Sequence, residues 1–228
     1  MIINILFIIL ILAIFWYWYI VKNDPVLPVV KYEDINFKTG DLILMHSYDN
    51  SYPVLFGTYW THVGIVYKPP DTGADTDTGV VSNPLILEAV NLTGSKYINP
   101  DMKNGIVLMD LKNRLEKYHG YLAYKRLDKP LDKETIDNFK VFIEHVKKNF
   151  SYNTKVISNV VKKLGGEKLN NKTNCGELVI LSLIKLKLLS RSVYKNKIWH
   201  SLLYTIKLKK LNNNKYNDLV KIFINPFY

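Results

Sequence analysis

The feature that most restricts the fold is a change of hydrophobic period near Pro130. Before it, short apolar runs fall at residues 42–45, 63–67, 85–90, 106–111 and 121–127, set off by turn or loop chemistry. Lys38-Thr39-Gly40-Asp41 reads as a turn, and residues 69–84, rich in Pro, Asp, Thr and Gly, as a loop between strands. Runs this short and this closely spaced predict an antiparallel sheet or small barrel. After Pro130 the spacing becomes three and four. Ile136, Phe139, Phe142, Ile143 and Val146 share one side of a helix that Asp132 can cap and that runs to about residue 149. A less regular helix is expected over 156–164, ended by Gly165-Gly166. Another begins near Thr173 or Asn174 and continues through Leu189. It is apolar almost all round from Leu178 to Ile184, which predicts a central buried helix. Strands first and helices afterwards specify an α+β fold with the helices packed on one face of the sheet.

Residues 2–21 form one apolar run interrupted only by Asn4. An α-helix needs roughly 20 such residues to cross the hydrocarbon core. The run ends in Trp16-Tyr17-Trp18-Tyr19, then Lys22 and Asp24, as fits a membrane–water interface. No charged segment precedes it and no small-residue cleavage site follows, so residues 1–22 are expected to be a retained single-pass anchor rather than a signal peptide. Lys22 and Lys31 follow the run, so by the positive-inside bias the body is expected on the cytoplasmic side. Residues 23–37, with Pro25 and Pro28, read as a linker, 38–190 as the folded domain and 191–228 as a basic C-terminal extension.

Composition limits the function classes. Hydrophobic residues make up 48% of the chain and aromatics 13%, which excludes disorder over most of its length. A single Cys excludes an internal disulfide framework and a Cys-rich zinc site. The net charge is +11, and from Lys185 onward ten basic residues face one acid, Asp218. Basic charge is a general attraction and not a site, and no nucleic-acid motif accompanies it. Anionic lipid headgroups beside an anchor are therefore the expected contact of the tail, with no specific nucleic acid as partner.

Cys175 falls at the start of the buried helix, just after the cap candidates. A thiol there sees the positive end of the helix dipole and free N–H groups, which favour the nucleophilic thiolate and can hold a developing oxyanion. A cysteine nucleophile needs a base, and the base an orienting group. His62 opens a strand in Thr61-His62-Val63-Gly64-Ile65-Val66, and Glu88 interrupts the apolar strand 85–90, where a carboxylate is costly to bury unless paired. If those strands are neighbours, Glu88 can fix the His62 tautomer. His46, at the end of the first strand, is a weaker candidate; His119, His145 and His200 read as structural. The same residues also admit a plain reading: a small buried Cys, a water-facing His and a solvated Glu.

Gly40-Asp41-Leu42-Ile43-Leu44, Thr61-His62-Val63-Gly64-Ile65-Val66, Leu87-Glu88-Ala89-Val90 and Asn174-Cys175-Gly176-Glu177-Leu178-Val179 occur in that order. Together they resemble the circularly permuted papain-like cysteine hydrolases of the NlpC superfamily, in particular the YiiX-like bacterial proteins and their poxvirus relatives. The likeness covers roughly residues 38–190. It implies a sheet packed on a helical layer, with Cys175 as nucleophile, His62 as base and Glu88 as third member. It implies no cofactor or metal, and a substrate that is a peptide-type amide or a lipid acyl group. Asn174 and Gly176 depart from the aromatic and the Ser that often flank the family's Cys. The combined expectation is a membrane-anchored thiol hydrolase or acyltransferase. The alternative is a non-catalytic membrane or virion component that retains the fold.

Overall fold

A computed structural model of the chain describes residues 5, 7–15, 27–47, 59–70, 83–90, 105–152, 172–191, 211 and 214–224. Its centre is a seven-stranded mixed sheet. The strands are β1 (Val29–Lys31), β2 (Leu42–Ser47), β3 (His62–Tyr67), β4 (Leu85–Val90), β5 (Gly105–Asp110), β6 (Gly120–Lys125) and β9 (Val220–Phe223). Their spatial order is β1-β9-β6-β2-β3-β4-β5. All pairs are antiparallel except β1 with β9, in which Val29 lies opposite Lys221. Two short parallel strands, β7 (Ser151–Tyr152) and β8 (Lys172–Thr173), form a separate ribbon. The five strands expected before Pro130 are all present. β1 and β5 stand at the edges, so among the described residues the sheet is open and not a barrel.

The continuous apolar runs arise because both faces of the sheet are covered. Leu42, Leu44, Val63, Ile65, Leu87, Ala89 and Ala123 belong to one core cluster. Ile43, Met45, Val66, Ile86 and Leu122 alternate with them and belong to another. The first cluster packs against α2 (Lys133–Asn149) and α3 (Cys175–Lys185), through Phe139, Ile143, Val146, Leu178, Val179 and Leu183. The second is closed by Ile35 and Phe37 and by α1 (Leu111–Glu116), through Leu111 and Leu115. This corrects the expectation of helices on one face only. A two-sided sheet shows no period-two alternation, so the sequence pattern carried no sign of its second cover.

Local chemistry sets the helix limits. Asp132 caps α2, its carboxylate accepting from the Thr135 N–H at 2.7 Å and hydroxyl at 2.9 Å; such a cap stabilises a helix by about 1 kcal/mol. α3 stops at Lys185 rather than continuing through Leu189. Lys187 takes a positive φ of 59°. The Leu188 and Leu189 N–H groups fold back onto the Leu183 carbonyl, which buries both leucines. Residues 156–164 lie outside the described part.

The sheet extends past 38–190 at both ends. β1 comes from the stretch read as a linker and β9 from the stretch read as a basic extension. Tyr216 anchors the latter: it is buried, bridges Leu127, and donates its hydroxyl to the Gly40 carbonyl at 2.7 Å. Gly40, with φ of 97°, makes the turn that presents that carbonyl. In the N-terminal run, residues 5 and 7–15 are helical and their large apolar side chains are exposed. No helix among the described residues is long and apolar enough to cross a membrane. Residues 2–4, 6 and 16–21 of that run lie outside the described part.

If the C-terminal segment is integral to the fold, Tyr216→Phe should cost about 1 kcal/mol, the net worth of one buried hydrogen bond. Tyr216→Ala should cost about 3–5 kcal/mol, as for other buried aromatics. Urea denaturation followed by circular dichroism measures both. Midpoints unchanged from the parent in both variants would mean that the segment is a loose appendage.

Candidate active site

Cys175 is the first residue of α3, and its place is fixed by a reciprocal cap. Asn174 Oδ1 accepts from the Glu177 N–H at 2.9 Å, and Glu177 Oε2 accepts from the Asn174 N–H at 3.3 Å. The sulfur therefore sits at the positive end of the helix. The backbone N–H groups of Val63 and Gly176 hydrogen-bond to it. The residue is 8% exposed.

His62 and Glu88 come from neighbouring strands. The β3–β4 register, Ile65 opposite Leu87 and Val66 opposite Ile86, puts both side chains on the face covered by α1. His62 Nε2 lies 2.6 Å from Glu88 Oε2. Nδ1 is then the nitrogen left for Cys175, with which the ring also hydrogen-bonds. α3 packs on the opposite face of the sheet. The two faces meet here because His62 is the first residue of β3, so its ring, 18% exposed, stands at the end of the sheet.

A fourth member was not foreseen. Arg114, on α1, holds Glu88 side-on: Nε donates to Oε1 at 2.5 Å and Nη2 to Oε2 at 3.2 Å. Glu88 is fully buried and the Arg114 side chain only 5% exposed. Asp110 caps α1 through the Asn113 N–H at 2.8 Å, which starts the helix directly after β5 and turns Arg114 back under β4. The available signal was energetic. A carboxylate inside an apolar strand demands a cation, and Arg114 lies between Leu111 and Leu115, whose spacing of four marks one buried helix face.

Burial opposes every charge in this cluster, and mutual pairing overcomes it. Burial pushes the Cys175 thiol up, but the His62 charge and the surrounding donors prevail and hold it below its ordinary 9.0. Burial pushes the His62 ring down, yet Cys175 and then Glu88 raise it from 6.5 to about 9. Burial raises Glu88, while Arg114 foremost and then His62 bring it from 4.5 to about 2. These shifts favour a thiolate–imidazolium pair at Cys175 and His62, backed by a carboxylate–guanidinium pair at Glu88 and Arg114. Such a thiolate can attack a carbonyl carbon, and the adjacent imidazolium can protonate a leaving group.

His46 is stacked on Tyr59 with ring centroids 4.1 Å apart, His119 is exposed, and His145 Nδ1 on α2 accepts from Asn149 Nδ2 at 3.2 Å. His200 lies outside the described residues. Among the described residues no cluster of three or more His, Cys, Asp or Glu is placed to hold a metal ion. No protein-family model and no curated protein matches the chain.

The ion pair has a pH signature. With the thiol lowered and His62 raised to about 9, iodoacetamide should label Cys175 below the ordinary thiol range, with a further change as His62 deprotonates. His62→Ala should slow labelling at neutral pH by about tenfold or more, because the thiolate loses its counter-charge. A single rise near the free-thiol value in the unaltered protein would mean an ordinary buried cysteine.

Proposed function

We propose that this protein is a thiol hydrolase or acyltransferase acting on an amide, ester or thioester carbonyl. One observation carries the reading: Cys175, His62 and Glu88 form a continuous hydrogen-bonded chain although 26 positions separate the His from the Glu and the Cys lies in a distant helix. The order of the four motifs and their likeness to permuted papain-like hydrolases of the NlpC superfamily support it from the sequence side.

The steps balance as follows. The Cys175 thiolate attacks the carbonyl carbon, whose oxygen becomes an oxyanion facing the N–H groups at the start of α3. On collapse the carbon–heteroatom bond breaks, and the His62 imidazolium gives its proton to the leaving amine, alcohol or thiol. An acyl-thioester on Cys175 remains. His62, now neutral, takes a proton from water or another acceptor, which attacks the acyl carbon. The acyl product departs and the thiolate–imidazolium pair is restored. Glu88 holds the ring in the tautomer and orientation that both proton transfers require. None of these steps needs a metal or organic cofactor.

The proposed setting is a membrane surface, with residues 1–22 as a single-pass anchor, the body on the cytoplasmic side and the basic tail near anionic headgroups. Apolar length, the aromatic–charge boundary and charge position in the sequence support this. Substrates presented at a bilayer, among them lipid acyl groups, fit that setting. A virion membrane is one such surface.

Incubation with an activated p-nitrophenyl ester should leave an acyl group on Cys175, read as an intact-mass increase that hydroxylamine removes. Cys175→Ala should abolish it, and Glu88→Gln should slow turnover by about 10²–10⁴-fold. No acyl adduct and no turnover of ester, thioester or amide probes would favour the non-catalytic component instead. For the anchor, carbonate-washed membranes should retain the full chain and release a form lacking residues 1–22. Release of the full chain into the wash would remove the membrane-spanning assignment.

A further inference from the structure

The geometry points to Arg114 as a positioning residue that supplies the counter-charge allowing this site to hold two anions at once, the Glu88 carboxylate and the Cys175 thiolate. The inference rests on the thiol-hydrolase reading and deepens it. Glu88 is fully buried and Oε2 is shared: it accepts from His62 Nε2 at 2.6 Å and from Arg114 Nη2 at 3.2 Å. Oε1 is held by Arg114 Nε at 2.5 Å. Among the described residues, every hydrogen bond to this carboxylate thus comes from the His62 ring or from Arg114. Without Arg114 the cluster holds one cation, His62, against two buried anions.

The groups facing the thiol and the carboxylate come from every neighbouring element. α3 gives Cys175 and the Gly176 N–H, β3 gives His62 and the Val63 N–H, β4 gives Glu88, and α1 gives Arg114. Tyr118 follows α1, with its ring 5.2 Å from the Arg114 guanidinium carbon and its hydroxyl hydrogen-bonded to Thr61, the residue before the base. Burial keeps that phenol neutral and well above its ordinary range, so it adds no third anion. Its π face adds to the cation's seat. Removal of Arg114 then has two outlets, and both reach the sulfur. Glu88 takes up a proton, His62 loses its backing charge, and thiolate forms only at higher pH. Otherwise Glu88 stays charged, and a second unbalanced anion at Cys175 is disfavoured. A merely structural Arg114 would alter stability and leave the thiolate midpoint in place.

The test is the pH dependence of iodoacetamide reaction at Cys175, together with thiolate absorbance at 240 nm, in the full chain, Arg114→Lys, Arg114→Met and the double variant Glu88→Gln/Arg114→Met. Circular dichroism reports folding of each. Arg114→Met should raise the thiolate midpoint by one pH unit or more, and Arg114→Lys should restore most of that shift. Because Arg114→Met leaves a buried charge unpaired and can fail to fold, the double variant removes both charges together. It should fold, and should still show the raised midpoint, since no anion then backs His62. A low midpoint in the parent with the same low midpoint in folded Arg114→Met, or in the double variant, overturns the assignment of Arg114 alone. A parent midpoint near that of a free thiol overturns the thiol-hydrolase reading itself, so the two failures are distinguishable.

Discussion

The structure turns on one carboxylate. Glu88 occupies a strand whose neighbours along the chain, Leu87 and Ala89, are fully buried, and it is itself fully buried. An isolated ionised carboxylate in such a place is prohibitive, and removing one partner of a buried pair typically costs about 3–5 kcal/mol. The chain meets that demand by turning from β5 directly into α1 and laying Arg114 against the carboxylate. Leu111 and Leu115 close the second core from the same helix. The packing that covers the back of the sheet and the charge that balances Glu88 are therefore one element. On linkage grounds the carboxylate contributes stability above its unfolded value of 4.5, and that contribution is lost as pH falls towards about 2.

The second dependence is on position at a strand end. Side chains alternate across a sheet, so two residues on opposite faces are separated by the backbone layer. Cys175 belongs to the core cluster of one face and Glu88 points to the other. A histidine inside β3 would reach only one of them. As the first residue of β3, His62 has no strand residue before it and reaches both. Gly64, two residues on, leaves room for Ile86: a Cβ there would come within 2.6 Å of Ile86 Cδ1, beside Glu88. The geometry of the Cys175–His62–Glu88 cluster thus depends on where strand β3 begins.

Much of this was legible in the sequence, for physical reasons that differ by element. The five strands before Pro130 and helix α2 were readable because their apolar spacing and turn residues are local. Asn174 and Cys175 were readable because helix caps have a short chemical signature. His62 and Glu88 were conspicuous as polar groups in apolar strands. Arg114 was not, because an arginine in a charged segment such as Leu111-Lys112-Asn113-Arg114-Leu115-Glu116 has the pattern of a solvated surface helix. The long-range demand of Glu88, joined to the buried face that Leu111 and Leu115 mark, identifies it. Strands β1 and β9 were missed for the same kind of reason. Each is short, lies at or next to the sheet edge, and is specified by its partner rather than by its own residues.

That edge also relates the two ends of the body. β1 and β9 run parallel, Val29 beside Lys221 and Lys31 beside Phe223, so the segment leading from the N-terminus and the C-terminal segment lie side by side. From residue 22 to Val29 the chain can span at most about 25 Å, at roughly 3.5 Å per residue. In the anchored arrangement proposed above, β1 and β9 are therefore held within that reach of the bilayer. Lys31 and Lys215 are exposed, and Lys221 on β9 stands 4.2 Å from the centre of the Tyr121 ring on the adjacent β6. A lysine acts on an anionic surface only within about a Debye length, roughly 8 Å at physiological salt. Proximity of that order depends on how the body is tethered, and in the proposed arrangement a tether entering at β1 limits how far Lys215 and Lys221 can stand from the bilayer. Lys221, which the sequence shows only as part of a basic tail, is through one parallel strand pair tied to the segment that would lead out of the membrane in that arrangement.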